Sequence, residues 1–196
     1  MAMIPVNRQP WLTYALIAIS VAITLTSNFG DHIQVLQPLF ISNFPEPFQL
    51  PEVRRGEVWR LVSPIFMHFH PLHLAFNMLW LWDLGRAIEL HLSTRRLALL
   101  VAVTGVLSNL GQFYFDGPRF GGMSGVVYGL LGYIWIQGHL NPAAGLFLHK
   151  QIAIMIMIWY VLCWTGLVGP VANMAHTVGL LAGLITGFIW AYAKRR

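Results

Sequence analysis

At 196 residues, with 57% hydrophobic and only 10% charged side chains, the chain carries less than half the charge of an average soluble domain. A mean hydropathy of +0.62, with several apolar stretches near the ~20 residues that cross a bilayer, places it among polytopic membrane proteins. That excludes a soluble enzyme, a disulfide-stapled secreted domain and a disordered chain. The formal charge of +5 fits retention of Lys and Arg on the cytoplasmic side better than it fits nucleic-acid binding. Loops and six short spans use the whole length, so residues 1–196 read as one membrane domain. The single Cys163 lies in an apolar run, where it forms no intramolecular disulfide and reads as a small buried hydrophobe.

Apolar length, proline and charge give six spans, at residues 10–28, 71–91, 95–115, 124–137, 150–167 and 172–193. The first follows Arg8 and imitates a signal peptide, but further spans follow and no small-x-small cleavage site in it is convincing, so it reads as a membrane helix. The segment Phe29 to His70 is broken by Pro38, Pro45, Pro47, Pro51 and Pro64 and cannot span. Its Leu36, Leu39, Phe40, Ile41, Phe44, Phe48 and Trp59 make it too apolar for a free linker. It is expected to lie in the membrane interface, with Trp59 and the phenylalanines as anchors and Arg60 tying the loop down through backbone carbonyls.

With a cytoplasmic N-terminus, Arg8, Arg86, Arg95, Arg96, Lys150, Lys194, Arg195 and Arg196 fall inside, and Arg54, Arg55, Arg60 and Arg119 fall outside. This asymmetry places both termini in the cytoplasm and accounts for the basic balance by topology. At the inner rim Asp83 reads as solvated or paired, and Glu89 as a partner of Arg86 or Arg95.

The fourth span is short: 14 residues make about 21 Å, against a hydrocarbon core of ~30 Å. Its outer end, Ser124, is therefore expected below the outer surface, in a wet pit, after the turn-rich run Phe115 to Gly122. In Gly122-Met123-Ser124-Gly125 a hydroxyl stands at a helix start, where unpaired N–H groups and the dipole favour an anion. Taken alone, the motif is weak and Ser124 reads first as a simple N-cap.

The sixth span opens with Ala172-Asn173-Met174-Ala175-His176, and an ionisable side chain inside a membrane segment is a functional candidate by default. On a helical wheel Gly183 and Gly187 fall within about 20° of His176 and Gly179 about 60° away, which with Ala175 makes a ribbon for backbone-to-backbone packing. Gly125, Gly129 and Gly132 cluster likewise on the fourth span. The second span opens with His68-Phe69-His70-Pro71-Leu72-His73, followed by Asn77; Pro71 suits the first helical position, so His73 and Asn77 share one face. Both donate hydrogen bonds at a depth similar to that of Ser124, as an oxyanion requires. Three imidazoles, His68, His70 and His73, also suit Zn²⁺, but no acidic residue lies close by and the HExxH pattern is missing. Tyr128, one turn below Ser124, either packs in the core or stacks on His176.

The set Trp59-Arg60, His68, His73, Asn77, residues 122–129 (GMSGVVYG), and Ala175-His176 with Gly179 and Gly183 resembles the rhomboid family of intramembrane serine proteases in its bacterial form. The resemblance runs from Glu57 to the C-terminus, about 140 residues. It implies a six-helix bundle with a short central fourth helix and a long interfacial first loop, in which Ser124 is the nucleophile and His176 its general base. It further implies an oxyanion hole of His73, Asn77 and the Ser124 N–H, Tyr128 buttressing His176, and Gly122, Gly125 and His68 in support. The fifth span and the loop after it, near Trp159 to Val171, are implied to gate entry of transmembrane substrates. No cofactor or metal is implied. Without the additional N-terminal domain or seventh helix of some relatives, the chain reads as a minimal core, and Ser63-Pro64 stands where some relatives carry a further His. The competing readings are a small channel or transporter lined by His, Asn and Ser, and a catalytically silent relative. A channel wants polarity from face to face, whereas the inner halves of the fourth and sixth spans are Leu, Ile, Gly and Trp.

Overall fold

The computed structural model describes residues 9–44, 46 and 49–193. Arg8, Pro45, Pro47, Phe48, Lys194, Arg195 and Arg196, which enter the topology and anchoring expectations above, lie outside the described residues. Among those described, the fold is helical: α1 (Trp11–Thr26), α2 (Ile33–Leu36), α3 (Pro51–Arg54), α4 (Pro71–Trp80), α5 (Arg86–His91), α6 (Thr94–Asp116), α7 (Ser124–Leu140), α8 (Lys150–Trp164) and α9 (Asn173–Ala193). A π-helical turn, Leu81–Gly85, joins α4 to α5 into one continuous rod. α6 and α9 are each long and apolar enough to cross a membrane.

α7 is the centre of the bundle. It is apolar all round, with Val126, Val127, Leu130, Leu131 and Ile134 all buried, the signature of a helix enclosed by others. It runs three residues past the expected end at Gln137, because Gly138 is tolerated and the true stop is Pro142, which forces Asn141 out of the helical region (φ −140°, ψ 64°). Its 17 residues make about 25 Å, still short of the hydrocarbon core, and α1 and α8 are shorter still.

α7 and α9 touch along their glycines. A Cβ on Gly179 or Gly183 would run into the backbone carbonyls of Gly125 and Gly129, and one on Gly132 would stand 2.8 Å from the Leu180 carbonyl. Only glycine allows this approach. α6 closes against the same pair, with Gly111 beneath Val178.

Glu89 corrects the expectation of an ion pair with Arg86 or Arg95. Its carboxylate, 2% exposed, accepts the N–H groups of Leu12 and Thr13 (3.0 and 2.9 Å) and the hydroxyls of Thr13 and Thr94 (2.8 and 2.9 Å). α1 has no cap of its own, and a buried carboxylate facing orphan N–H groups and the positive dipole end satisfies both. Arg86 instead lies over the Trp82 ring. Asp83 is exposed.

The long first loop carries a small core of Leu36, Phe40 and Met67, and Ile41 joins it to Phe113 of α6 and Phe120 in a second. Phe40 therefore turns inward, stacked on Phe69, and is no outward anchor; Trp59 and Phe44 remain half exposed. Arg60 is 4% exposed and donates from Nη1 to the carbonyls of Gln37 and Phe40, both 2.8 Å, while Nε pairs with Glu57 at 2.6 Å. Asn109 on α6 holds the Leu61 carbonyl at 2.9 Å, which ties the loop to the bundle.

Candidate active site

Ser124 opens α7 and owes its position to the strand of chain before it. Gly122 donates to the Pro64 carbonyl at 3.0 Å, and Met123 donates to His68 Nε2 at 3.3 Å. Because Nε2 accepts, the His68 proton sits on Nδ1 and is donated to the Phe66 carbonyl at 3.2 Å. Burial, and then the neighbouring His73, push the pKa of His68 down to about 3, so this loop histidine stays neutral.

Gly122 has φ +133°, a conformation that disfavours any side chain. A Cβ there would stand 2.7 Å from His73 Cε1 and 2.8 Å from His73 Nε2, so the His73 ring lies on the glycine face; the same point is only 3.8 Å from Ser124 Oγ. Asn77 follows one turn later on α4, 5% exposed, with one amide proton given to the His73 carbonyl at 2.9 Å and a second left to donate. The loop between α6 and α7 thus brings the serine end of one helix beside the histidine end of another.

His176, 3% exposed in the first turn of α9, completes the group: its Nε2 is 2.8 Å from Ser124 Oγ, and Ser124 itself is partly exposed. The Tyr128 ring lies 4.7 Å from the imidazole at 37°, so it does not merely fill core. Its hydroxyl donates to the Ile156 carbonyl of α8 at 3.3 Å, and Tyr160 of α8 packs edge-on against it while bonding Thr177 at 2.8 Å. The Phe76 and Trp159 rings meet at 5.9 Å between α4 and α8.

Sequence reasoning gave no site role to the Pro64 carbonyl, Gln112, Tyr160 or Asn173. Gln112 accepts the Ala175 N–H at 3.1 Å and donates to Asp116 at 2.7 Å, which fixes the start of α9. A signal for it exists: Thr104, Ser108 and Gln112 recur every four residues in an apolar helix and form a polar stripe that must face protein. The Pro64 carbonyl left no trace, since a backbone acceptor has no residue type.

Fold and site define a helical membrane protein with a hydroxyl and an imidazole paired between two glycine-packed helices. The chain matches the Rhomboid domain model over residues 55–193 and belongs to the rhomboid family. It is an integral membrane protein. It is similar to proteins named Rhomboid protease GlpG: 36% identical over 185 residues to that of Klebsiella pneumoniae, covering 93% of this chain and 64% of the relative. It is 42% and 43% identical over 138 residues to those of Salmonella paratyphi A and Salmonella choleraesuis, covering 70% of this chain and 50% of each relative. The chain thus spans half to somewhat under two thirds of the length of these relatives.

Proposed function

We propose that the protein is an intramembrane serine endopeptidase working through a Ser124–His176 dyad. The observation that carries this reading is the 2.8 Å contact between His176 Nε2 and Ser124 Oγ, made by a buried imidazole at the end of a membrane helix. His176 takes the Ser124 proton as Oγ attacks the scissile carbonyl. The resulting oxyanion receives hydrogen bonds from the Ser124 N–H, His73 and the free Asn77 amide proton. His176 then protonates the departing amine, the C–N bond breaks, and a water enters by the same base to release the acid and return the proton to Ser124.

The family supports membrane-protein substrates. A regular helix hides its carbonyls, so segments weakened by Gly, Pro or polar residues, with a small residue at the cut, suit a serine placed at a helix end. The basic asymmetry supports cytoplasmic termini and a site opening to the outer side, in a bacterial inner membrane. The dyad needs no metal or organic cofactor, and a basic excess that topology accounts for lends no support to nucleic-acid binding.

Covalent labelling tests this: a fluorophosphonate should modify Ser124, located by peptide mass spectrometry, and Ser124→Ala and His176→Ala should abolish both labelling and cleavage of a model transmembrane substrate. Cleavage retained by Ser124→Ala overturns the reading.

A further inference from the structure

Two buried polar atoms in the first turn of α9 have no hydrogen-bond partner among the described residues: His176 Nδ1 and Asn173 Oδ1. With Nε2 occupied by the serine hydroxyl, Nδ1 is the protonated nitrogen and a donor. Asn173 Oδ1 is an acceptor. Its orientation is set by the other end of the amide, since Nδ2 donates to the Cys163 carbonyl of α8 at 3.2 Å. Residues three apart on a helix are neighbours, so an orphan donor and an orphan acceptor occupy one turn. Buried orphans are rare, and a complementary pair one turn apart is rarer.

We propose that Asn173 is a positioning residue for His176, its Oδ1 accepting the Nδ1–H through one bridging water, and so supplying neutrally the orienting bond that a carboxylate gives in Ser–His–Asp triads. The inference rests on the dyad reading above. It has a chemical reason: when His176 takes the serine proton, positive charge appears on a ring whose other nitrogen must donate into protein, and an unmet donor there opposes the transfer. The other neighbours of the ring do not serve. Tyr128 lies against the ring face, Gln112 is spent on Ala175 and Asp116, and Thr177 Oγ1 is spent on Asn173 O and Tyr160.

The test separates this role from the structural tether to Cys163. Asn173→Ala removes acceptor and tether; Asn173→Asp keeps the acceptor and loses the donor to Cys163. On a model transmembrane substrate, Asn173→Ala should lower kcat about three- to tenfold, the size of one neutral hydrogen bond, with KM nearly unchanged. Asn173→Asp should restore kcat to the parent value or above it. If Asn173→Asp is as slow as Asn173→Ala, the tether is the whole role and the proposal fails. A second readout needs no Asn173 variant: in the intact protein labelled with 15N-histidine, the His176 Nδ1 proton, assigned by its loss in His176→Ala, should exchange slowly with water. Exchange as fast as that of an exposed imidazole overturns the proposal. Absence of fluorophosphonate labelling at Ser124 in the parent protein would remove the dyad itself, whereas labelling with an indifferent Asn173 sinks only this inference.

Discussion

At Gly122 a single hydrogen atom stands where any other side chain would displace His73. Gly122→Ala is strained at φ +133° and puts its methyl within 2.8 Å of the imidazole. We expect it to lower kcat more than about tenfold, while far-ultraviolet circular dichroism stays that of the parent; full activity would show that the His73 ring does not need this position. Asn77 has a milder fate. Loss of one oxyanion donor costs about 10²- to 10³-fold in soluble serine proteases, but the hole proposed above has three donors to share the charge. Asn77→Ala should therefore leave measurable cleavage where Ser124→Ala leaves none, with kcat falling at constant KM. Parental kcat in Asn77→Ala would make Asn77 a structural residue of α4.

Elements are held by contacts of very different stringency. Along the α7–α9 seam, a Cβ on Gly183 meets the backbone of Gly129, which cannot move aside, whereas one on Gly187 meets Ile136 Cβ at 3.0 Å and the Tyr133 carbonyl at 3.2 Å. Gly183→Ala should thus destabilise the protein by about 1–3 kcal/mol, and Gly187→Ala by distinctly less, read as melting temperature in detergent. Equal melting points for the two would refute the stated geometry.

The same scale shows what a sequence discloses. The α9 glycines are legible as a packing face because period and residue type coincide, and Pro71 marks the start of α4 because its ring suits a helix N-terminus and little else. Arg60 is legible too, as a guanidinium in a proline-broken apolar loop that needs carbonyls. Glu89 is not: its partners Leu12 and Thr13 lie more than 70 residues away, and nothing local says which helix end a carboxylate will cap. The end of α7 misleads for another reason, since Gly138 weakens a helix without stopping it and Pro142 stops it three residues on.

For the molecule as a whole, the long first loop holds a carboxyl that makes stability respond to acid. Glu52, buried, accepts the Asn43 N–H at 2.9 Å and the Ser42 hydroxyl at 3.0 Å. Burial alone would raise its pKa, but these donors and the Arg60 charge outweigh it and hold the carboxyl below its ordinary 4.5. A carboxyl whose pKa is lower folded than unfolded stabilises the fold above the unfolded value, and that contribution is lost as pH falls through the folded one. The melting temperature should accordingly hold from neutral pH to about 5 on this account and decline below 4.5. Glu52→Gln should start lower and decline less; a parallel decline would assign the acid sensitivity elsewhere.

Besides packing Ile156 into the core, helix α8 is tied to the bundle at three polar points: Ile156 O to Tyr128, Tyr160 to Thr177, and Cys163 O to Asn173. Its opposite flank is apolar and exposed, with Ile154, Ile158 and Val161 turned outward. Each attachment ends on a residue that touches His176 or lies within one helical turn of it. If α8 admits substrate and His176 is the base, as proposed above, access and chemistry are mechanically interlocked. A polypeptide that pried α8 away would, by the same movement, loosen the support of the base. Turnover would then wait for the helix to settle back around its guest, and such an enzyme would choose substrates by how long they stay rather than by how tightly they first bind.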